Sequence, residues 1–135
     1  MNIVTRNLGL ISYAEGLNAQ TKAFRFIEAN PDTACVIISC RHEPVITLGR
    51  QSKKDNILAS PHFLNNKHIE IVPVTRGGDV TYHGPGQIVL YPIANLDFFN
   101  KDIHYFLRIL EDGVIKFLAG FGVSAQRINK FTGVW

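Results

Sequence analysis

The sequence predicts an α+β domain in which a mixed, mainly antiparallel sheet is flanked by helices. β-rich apolar runs at residues 34–40, 45–48, 69–75 and 88–96 are separated by turn signals. Two stretches, opening at Ser12 and Asp102, carry helical periodicity instead. No linker rich in Pro, Gly or Ser divides the 135 residues, so residues 1–135 read as one domain. A chain of this length can bury roughly two thirds of its unfolded surface.

The elements follow in order. Residues 3–7 are a first strand. Ser12 and Glu15 fit an S-x-x-E capping box, in which each side chain satisfies the other's free backbone N–H. Behind that cap Tyr13, Leu17, Phe24 and Ile27 share a helical face, and Asn30-Pro31 stops the helix. Residues 34–40 have little polar alternation, as a central strand would. His42-Glu43-Pro44 breaks that run, and residues 45–48 resume as a strand ending at Gly49-Arg50. Residues 51–68 are polar and irregular, with Ser60-Pro61 placed to cap a short helix. In the strand at 69–75, Pro73 marks an edge or an end. Residues 76–87 are dense in turn chemistry, and 88–96 form another apolar strand. From Asp102 onward, Ile103, Phe106, Leu107, Leu110, Val114, Phe117, Leu118 and Phe121 recur at three- and four-residue spacing, one continuous stripe ended by Gly120 and Gly122. Residues 123–127 and 131–135 are short strand candidates, the chain ending within the second. That apolar ending reads as a domain interrupted at its C-terminal side.

Composition narrows the class. With 46% hydrophobic and 19% charged residues the chain is globular. No segment approaches the roughly 20 apolar residues of a membrane span, and residues 1–10 lack a secretory apolar core. A net charge of +3, with Lys53-Lys54 the only basic doublet, does not indicate nucleic acid. It does favour acidic protein partners through long-range steering. Cys35 and Cys40 lie five residues apart on a strand, hence on opposite faces, and their spacing is no zinc pattern. They read as buried, unpaired thiols, which places the chain in the reducing cytoplasm. No metal or cofactor motif is present.

Chemistry concentrates in RGGDVTYHGPGQ, residues 76–87. Gly77-Gly78 lets a ligand approach main-chain N–H groups without a Cβ in the way. Arg76 brings a five-donor guanidinium suited to a carbonyl, carboxylate or phosphate. Asp79, Thr81, Tyr82 and His83 add polar groups around Val80, and Gly84-Pro85-Gly86 closes the segment with a rigid turn. Such groups between apolar strands make a small-ligand site. A glycine-rich hairpin with a solvated Arg and His is the bland reading of the same residues. Neither a P-loop nor a G-x-G-x-x-G pattern is present.

This string, followed by a strand containing Tyr91-Pro92, resembles the lipoate–protein ligase B family, the octanoyl-[acyl-carrier-protein]:protein octanoyltransferases. Leu8-Gly9 with Ser12-Tyr13, His42-Glu43-Pro44-Val45 leading to Thr47-Leu48-Gly49-Arg50, and Thr132-Gly133-Val134-Trp135 resemble it too. The resemblance therefore covers essentially the whole chain. The ATP-using lipoate and biotin ligases share the fold but carry HD-x-GN where this chain has His83-Gly84-Pro85-Gly86-Gln87, so a transferase is favoured over a ligase.

The resemblance implies a biotin/lipoate ligase-like fold and a reaction. An octanoyl group passes from acyl carrier protein, through a cysteine thioester, to a lysine on the lipoyl domains of 2-oxoacid dehydrogenases and on the glycine cleavage H protein. Arg76, Gly77, Gly78, Asp79, Val80, Thr81, Tyr82 and His83 correspond to the loop along the acyl chain. His42, Tyr82 and His83 are candidate polar neighbours of the thioester. The family's catalytic Lys and Cys fall beyond Trp135, and neither Lys130 nor Cys35 nor Cys40 matches them. No catalytic residue is therefore expected in this chain, which should be inactive alone and, with apolar faces uncovered, marginal or prone to associate. The alternatives are an acyl- or protein-binding remnant of the family, and a lipoate or biotin ligase-like protein. A nucleic-acid module rests only on charge.

Overall fold

The computed structural model describes residues 2–135, apart from the side chain of Lys54, so the Lys54 half of the basic doublet lies outside the described residues. Two three-stranded mixed sheets carry the chain. The first has β1 (Asn2–Ile11), β2 (Thr33–His42) and β6 (Val89–Ala94) in the order β1-β2-β6, with β2 parallel to β1 and antiparallel to β6. The second has β3 (Val45–Leu48), β4 (Glu70–Pro73) and β5 (Val80–His83) in the order β4-β3-β5, parallel to β4 and antiparallel to β5.

The apolar run expected at 34–40 is indeed the central strand of its sheet, and β3 keeps its expected bounds. Pro73 ends β4, which lies on a sheet edge where a missing N–H costs no ladder bond. β1 is longer than the expected 3–7. It passes an irregularity between Asn7 and Leu10, where Gly9 takes φ 67° and donates its N–H to Asn7 Oδ1 at 3.0 Å.

Helix α1 (Tyr13–Ala29) starts at the expected capping box: Glu15 N–H donates to Ser12 Oγ at 3.3 Å, and Ser12 N–H to Glu15 Oε2 at 2.8 Å. Its buried face differs from the expected one. Tyr13 and Ile27 are buried, but with Gly16 and Ala23, while Leu17 and Phe24 are exposed. Small residues allow the helix to lie close to the sheet. Ala23 and Ile27 meet Val36 and Ile38 of β2, with Val4, Tyr91 and Ile93 around them. Truncating a buried side chain such as Ile38 to Ala would cost about 2–5 kcal/mol.

Helix α2 (Pro61–Asn66) has the expected Ser60 cap, whose Oγ accepts from Phe63 N–H at 3.2 Å. The expected strand at 88–96 stops at Ala94, and Leu96–Phe99 turn into a 3₁₀ helix capped by Asn95. Helix α3 (Ile103–Ala119) opens at Asp102, whose carboxylate accepts from the N–H groups of His104 and Tyr105. Of its apolar stripe only Phe106 is buried, edge-to-face on Phe99 at 4.8 Å beside Ala34. Phe117 is 62% exposed and Phe121 73%.

The strand candidates at 123–127 and 131–135 do not form among the described residues. Gln126 and Trp135 exchange two backbone hydrogen bonds of 2.8 Å, but one residue pair makes no ladder. Side chains hold this segment instead. Buried Glu111 accepts from Arg108 at 2.6 Å, Arg127 Nε at 2.7 Å and Gly133 N–H at 2.8 Å.

Candidate functional site

His42 ends β2 and Val45 begins β3, so the chain steps from one sheet into the other within a few residues of His42. The site gathers at this junction. His42 is only 1% exposed, and its Nδ1 lies 3.2 Å from the Ile11 carbonyl oxygen. A carbonyl can only accept, so Nδ1–H donates, which in the neutral imidazole leaves Nε2 as an acceptor. Tyr91 Oη donates to Nε2 at 2.8 Å, and the Cys40 thiol lies 3.6 Å from the same nitrogen.

Tyr13 comes from the first turn of α1 and His83 from the end of β5. Their rings stack with centroids 6.3 Å apart, and the His42 ring tilts against both at 5.4 and 5.7 Å. Gly16 makes room for this arrangement: a Cβ there would sit 2.7 Å from His42 Cε1. Burial pushes the phenols of Tyr91 and Tyr13 up, the second opposed by the charge of Arg76. Burial likewise raises the thiols of Cys35 and Cys40, which are buried and unpaired.

The segment 76–87 is not turn throughout. Residues 80–83 pair with β3 in the register Val45↔His83, Ile46↔Tyr82, Thr47↔Thr81 and Leu48↔Val80. Alternation along β5 puts Thr81 and His83 on one face and Tyr82 on the other. His83 reaches the ring cluster, while Tyr82 lies beside Ile46, Phe63 and Leu64 and is half exposed. Outside the strand the segment leaves a glycine tip at Arg76, Gly77, Gly78 and Asp79 and a closing turn at residues 84–87. Gly78 takes φ 81°, a backbone region costly for other residues.

Side chains fix this tip from within. Arg76 Nη2 donates to the Thr47 carbonyl at 3.1 Å and to Thr47 Oγ1 at 2.8 Å, while Nη1 donates to the Gly77 carbonyl at 2.9 Å. The guanidinium therefore braces its own loop. Asp79 accepts from Lys53 N–H at 3.4 Å and from Asn56 Nδ2. The N–H groups of Gly49, Arg50 and Gln51 donate to the carbonyls of Asp79, Arg76 and Gly78 at 3.3, 3.0 and 3.1 Å. His83 Nδ1–H donates to Gln87 Oε1 at 2.6 Å. The fold thus brings His83 to His42 and leaves Tyr82 behind the sheet.

Sequence reasoning missed Tyr13 and Thr47 as members of the site, and Gly16 and Gly49 as its spacers. Tyr13 directly after a helix cap, and Gly49 directly after an apolar strand, were the available signals. Among the described residues no group of three or more His, Cys, Asp or Glu side chains is placed to hold a metal ion. Nor, among the described residues, is any helix long and apolar enough to cross a membrane.

The family model described as the lipoyl protein ligase A/B catalytic domain matches residues 12–135. An octanoyltransferase of Clostridium kluyveri is 48% identical over 126 residues, covering 93% of this chain and 54% of its own length. One of Bacteroides fragilis is 40% identical over 139 residues, covering 100% and 63%. The chain thus spans little more than half the length of these curated relatives. Among solved structures, a bi-partite lipoate protein ligase of Thermoplasma acidophilum, described with its E2 lipoyl domain, superposes with TM-score 0.60 at 13% identity, covering 96% of this chain and 49% of its own. A lipoate-protein ligase A bound with ATP gives TM-score 0.59 at 15% identity, covering 96% and 51%. At such identities these two establish the fold.

Proposed function

This chain belongs to the lipoyl protein ligase A/B catalytic-domain family, and on that premise we propose that it carries the acyl-binding half of an octanoyl transfer site. The donor is octanoyl-acyl carrier protein. The acceptor is a lysine of lipoyl domains, those of 2-oxoacid dehydrogenases and of the glycine cleavage H protein, in the cytoplasm. The reaction needs no cofactor. One observation carries the reading: a glycine loop braced by Arg76 sits beside the Tyr13–His42–His83 cluster, in a chain 40–48% identical to octanoyltransferases.

The residues we assign to substrate are Arg76, Gly77, Gly78, Asp79, Val80, Thr81, Tyr82 and His83. Their roles differ. Arg76 and Asp79 hold the tip rigid through Thr47 and Asn56. Gly77 and Gly78 give an acyl chain close approach to the backbone. Thr81 extends that wall along β5, Val80 backs it from the opposite face, and His83 places a ring where the thioester end would lie. Tyr82 closes the rear face. Each methylene buried there contributes about 0.8 kcal/mol, so an eight-carbon chain gains several kcal/mol.

A nucleophilic cysteine works as thiolate and needs a lowered pKa. Cys35 and Cys40 are buried and shifted upward, which suits structural thiols. We therefore assign this chain binding without transfer. Incubated with octanoyl-carrier protein, it forms no covalent adduct by mass spectrometry. Uncharged octanoyl-pantetheine nonetheless perturbs the backbone amides of residues 76–83. A stoichiometric octanoyl adduct on either cysteine would refute the first half, and undisturbed loop amides the second.

A further inference from the structure

A second apolar groove lies away from the loop, between β1 and α1. Ala23, Val36 and Ile38 form its floor, and Val4, Leu8 and Phe26 its walls. Ala19 and Ala23, one helical turn apart on α1, leave it open because neither carries a long side chain. Its volume is about 290 Å³. No residue of the 76–83 segment, nor Tyr13 or His42, lines it.

Two further groups line this groove, and both are cationic: Arg6 from β1 and Lys22 from α1. They approach from different elements, and no acidic side chain shares the lining. Among the described residues neither takes part in an ion pair. An apolar trough with cations from two elements matches an aliphatic tail ending in an anion. At roughly 30 Å³ per carbon-sized group, the volume holds about eight to ten such groups. That is too small for the two tails of a phospholipid.

We propose that the β1–α1 groove is a binding site for a straight-chain aliphatic carboxylate of about eight to ten carbons, its tail on Val36 and Ile38 and its carboxylate between Arg6 and Lys22. The site is independent of the acyl wall assigned above, since it shares no residue with it. Arg6 supplies planar donors to the carboxylate, and Lys22 supplies a mobile point charge.

Calorimetric titration of the full 135-residue chain with the carboxylates from hexanoate to dodecanoate tests this. Affinity should rise about fourfold per methylene and level off near ten carbons, when the groove is full. Decanol should bind more weakly than decanoate, and decyltrimethylammonium weaker still. Arg6→Gln and Lys22→Gln change exposed side chains, so folding is retained. Each should weaken decanoate by about two- to fivefold, with little effect on decanol. Ala19→Phe should fill the groove and abolish binding; if that variant does not fold, the two charge variants still decide. Amide shifts on decanoate binding should fall on Ala23, Val36 and Ile38. Equal affinity for decanol and decanoate, indifference to both charge variants, or shifts confined to residues 76–83 would each overturn the proposal. Loss of octanoyl-pantetheine binding alone would instead count against the loop assignment.

Discussion

Gly49 is the position where the smallest change should disturb the candidate site most. It follows β3 and lies against the glycine tip, its N–H donating to the Asp79 carbonyl at 3.3 Å. A methyl group added there would stand 2.9 Å from both Arg76 Nη1 and the Gly77 carbonyl oxygen, and closer still to the Gly78 carbonyl oxygen. Real Cβ atoms do not sit under 3.0 Å from such neighbours. Because Gly49 has no positive φ, Ala is unstrained in its own backbone and the whole effect comes from contact. The obstacles are mostly main chain, so the tip must move by about an ångström at the Gly78 carbonyl to restore ordinary contact. Such overpacking typically costs about 1–3 kcal/mol. The bonds from Gly49, Arg50 and Gln51 into the tip would lengthen together, and each contributes about 1 kcal/mol. Gly49→Ala should therefore lose about 1–3 kcal/mol in urea unfolding and weaken octanoyl-pantetheine about tenfold or more, by 1.4 kcal/mol per decade. Gly77→Ala is the matched control for stability alone: its Cβ would meet no protein atom within 4 Å, and its φ is not positive, although the added methyl would face the acyl chain. If both variants unfold like the parent chain, or if Gly77→Ala is the more destabilising, the spacer role of Gly49 is wrong.

Tyr91→Phe keeps the ring but removes the O–H that donates to His42 Nε2, leaving that buried nitrogen only the Cys40 thiol at 3.6 Å. The expected loss is about 1–3 kcal/mol in chemical denaturation, with a shifted His42 imidazole resonance; an unchanged midpoint would mean water replaces the phenol without cost. Glu111 supplies an acid-sensitive tie. The N–H of Gly133 first, and then the side chains of Arg127 and Arg108, lower its carboxyl from the ordinary 4.5 to about 2. A carboxyl lowered on folding stabilises the folded chain fully above about pH 4.5, and that contribution fades as pH falls from there towards about 2. Glu111→Gln should flatten the stability profile in that window and speed exchange of the Gly133 amide, whereas an identical acid profile would show that the tie carries no linkage.

Much of the fold was legible because it depends on local chemistry. The Ser12–Glu15 box, the Ser60 cap and the Asp102 start are each written in two or three residues, and each is made as expected. The run at 34–40 betrayed a central strand because both of its faces are covered. What failed was partnership. The α3 stripe has a perfect period, but a period cannot say whether anything packs on it, and Phe117 and Phe121 face outward. Apolarity alone points Leu17 and Phe24 inward, whereas close approach of helix to sheet selects Gly16 and Ala23. In the site, the glycine loop was readable as a string, but its polar groups could not be assigned directions. Arg76 was read as reaching for a ligand and turns out to hold Thr47. Val80–His83, read as turn, is strand because β3 offers it a partner four residues long.

That last substitution of strand for turn explains how the site is held. The loop and His83 belong to the second sheet, His42 to the first and Tyr13 to α1, and their geometry would drift if the sheets moved independently. The connection between them is short. Ile11 fixes it: its carbonyl accepts from His42 Nδ1–H at 3.2 Å and from Glu43 N–H at 3.1 Å, tying the end of β1 to the step from β2 into β3. Two positions further, Val45 pairs with His83 and carries that residue back against His42. The cluster therefore closes a circuit through both sheets, from Ile11 to His42, across β3 to His83, and through Tyr13 to the start of α1 beside Ile11. A site closed in this way transmits displacement of any one member to the others, which is why a methyl group on Gly49, outside the cluster, should be felt at His83 as well as at the loop tip.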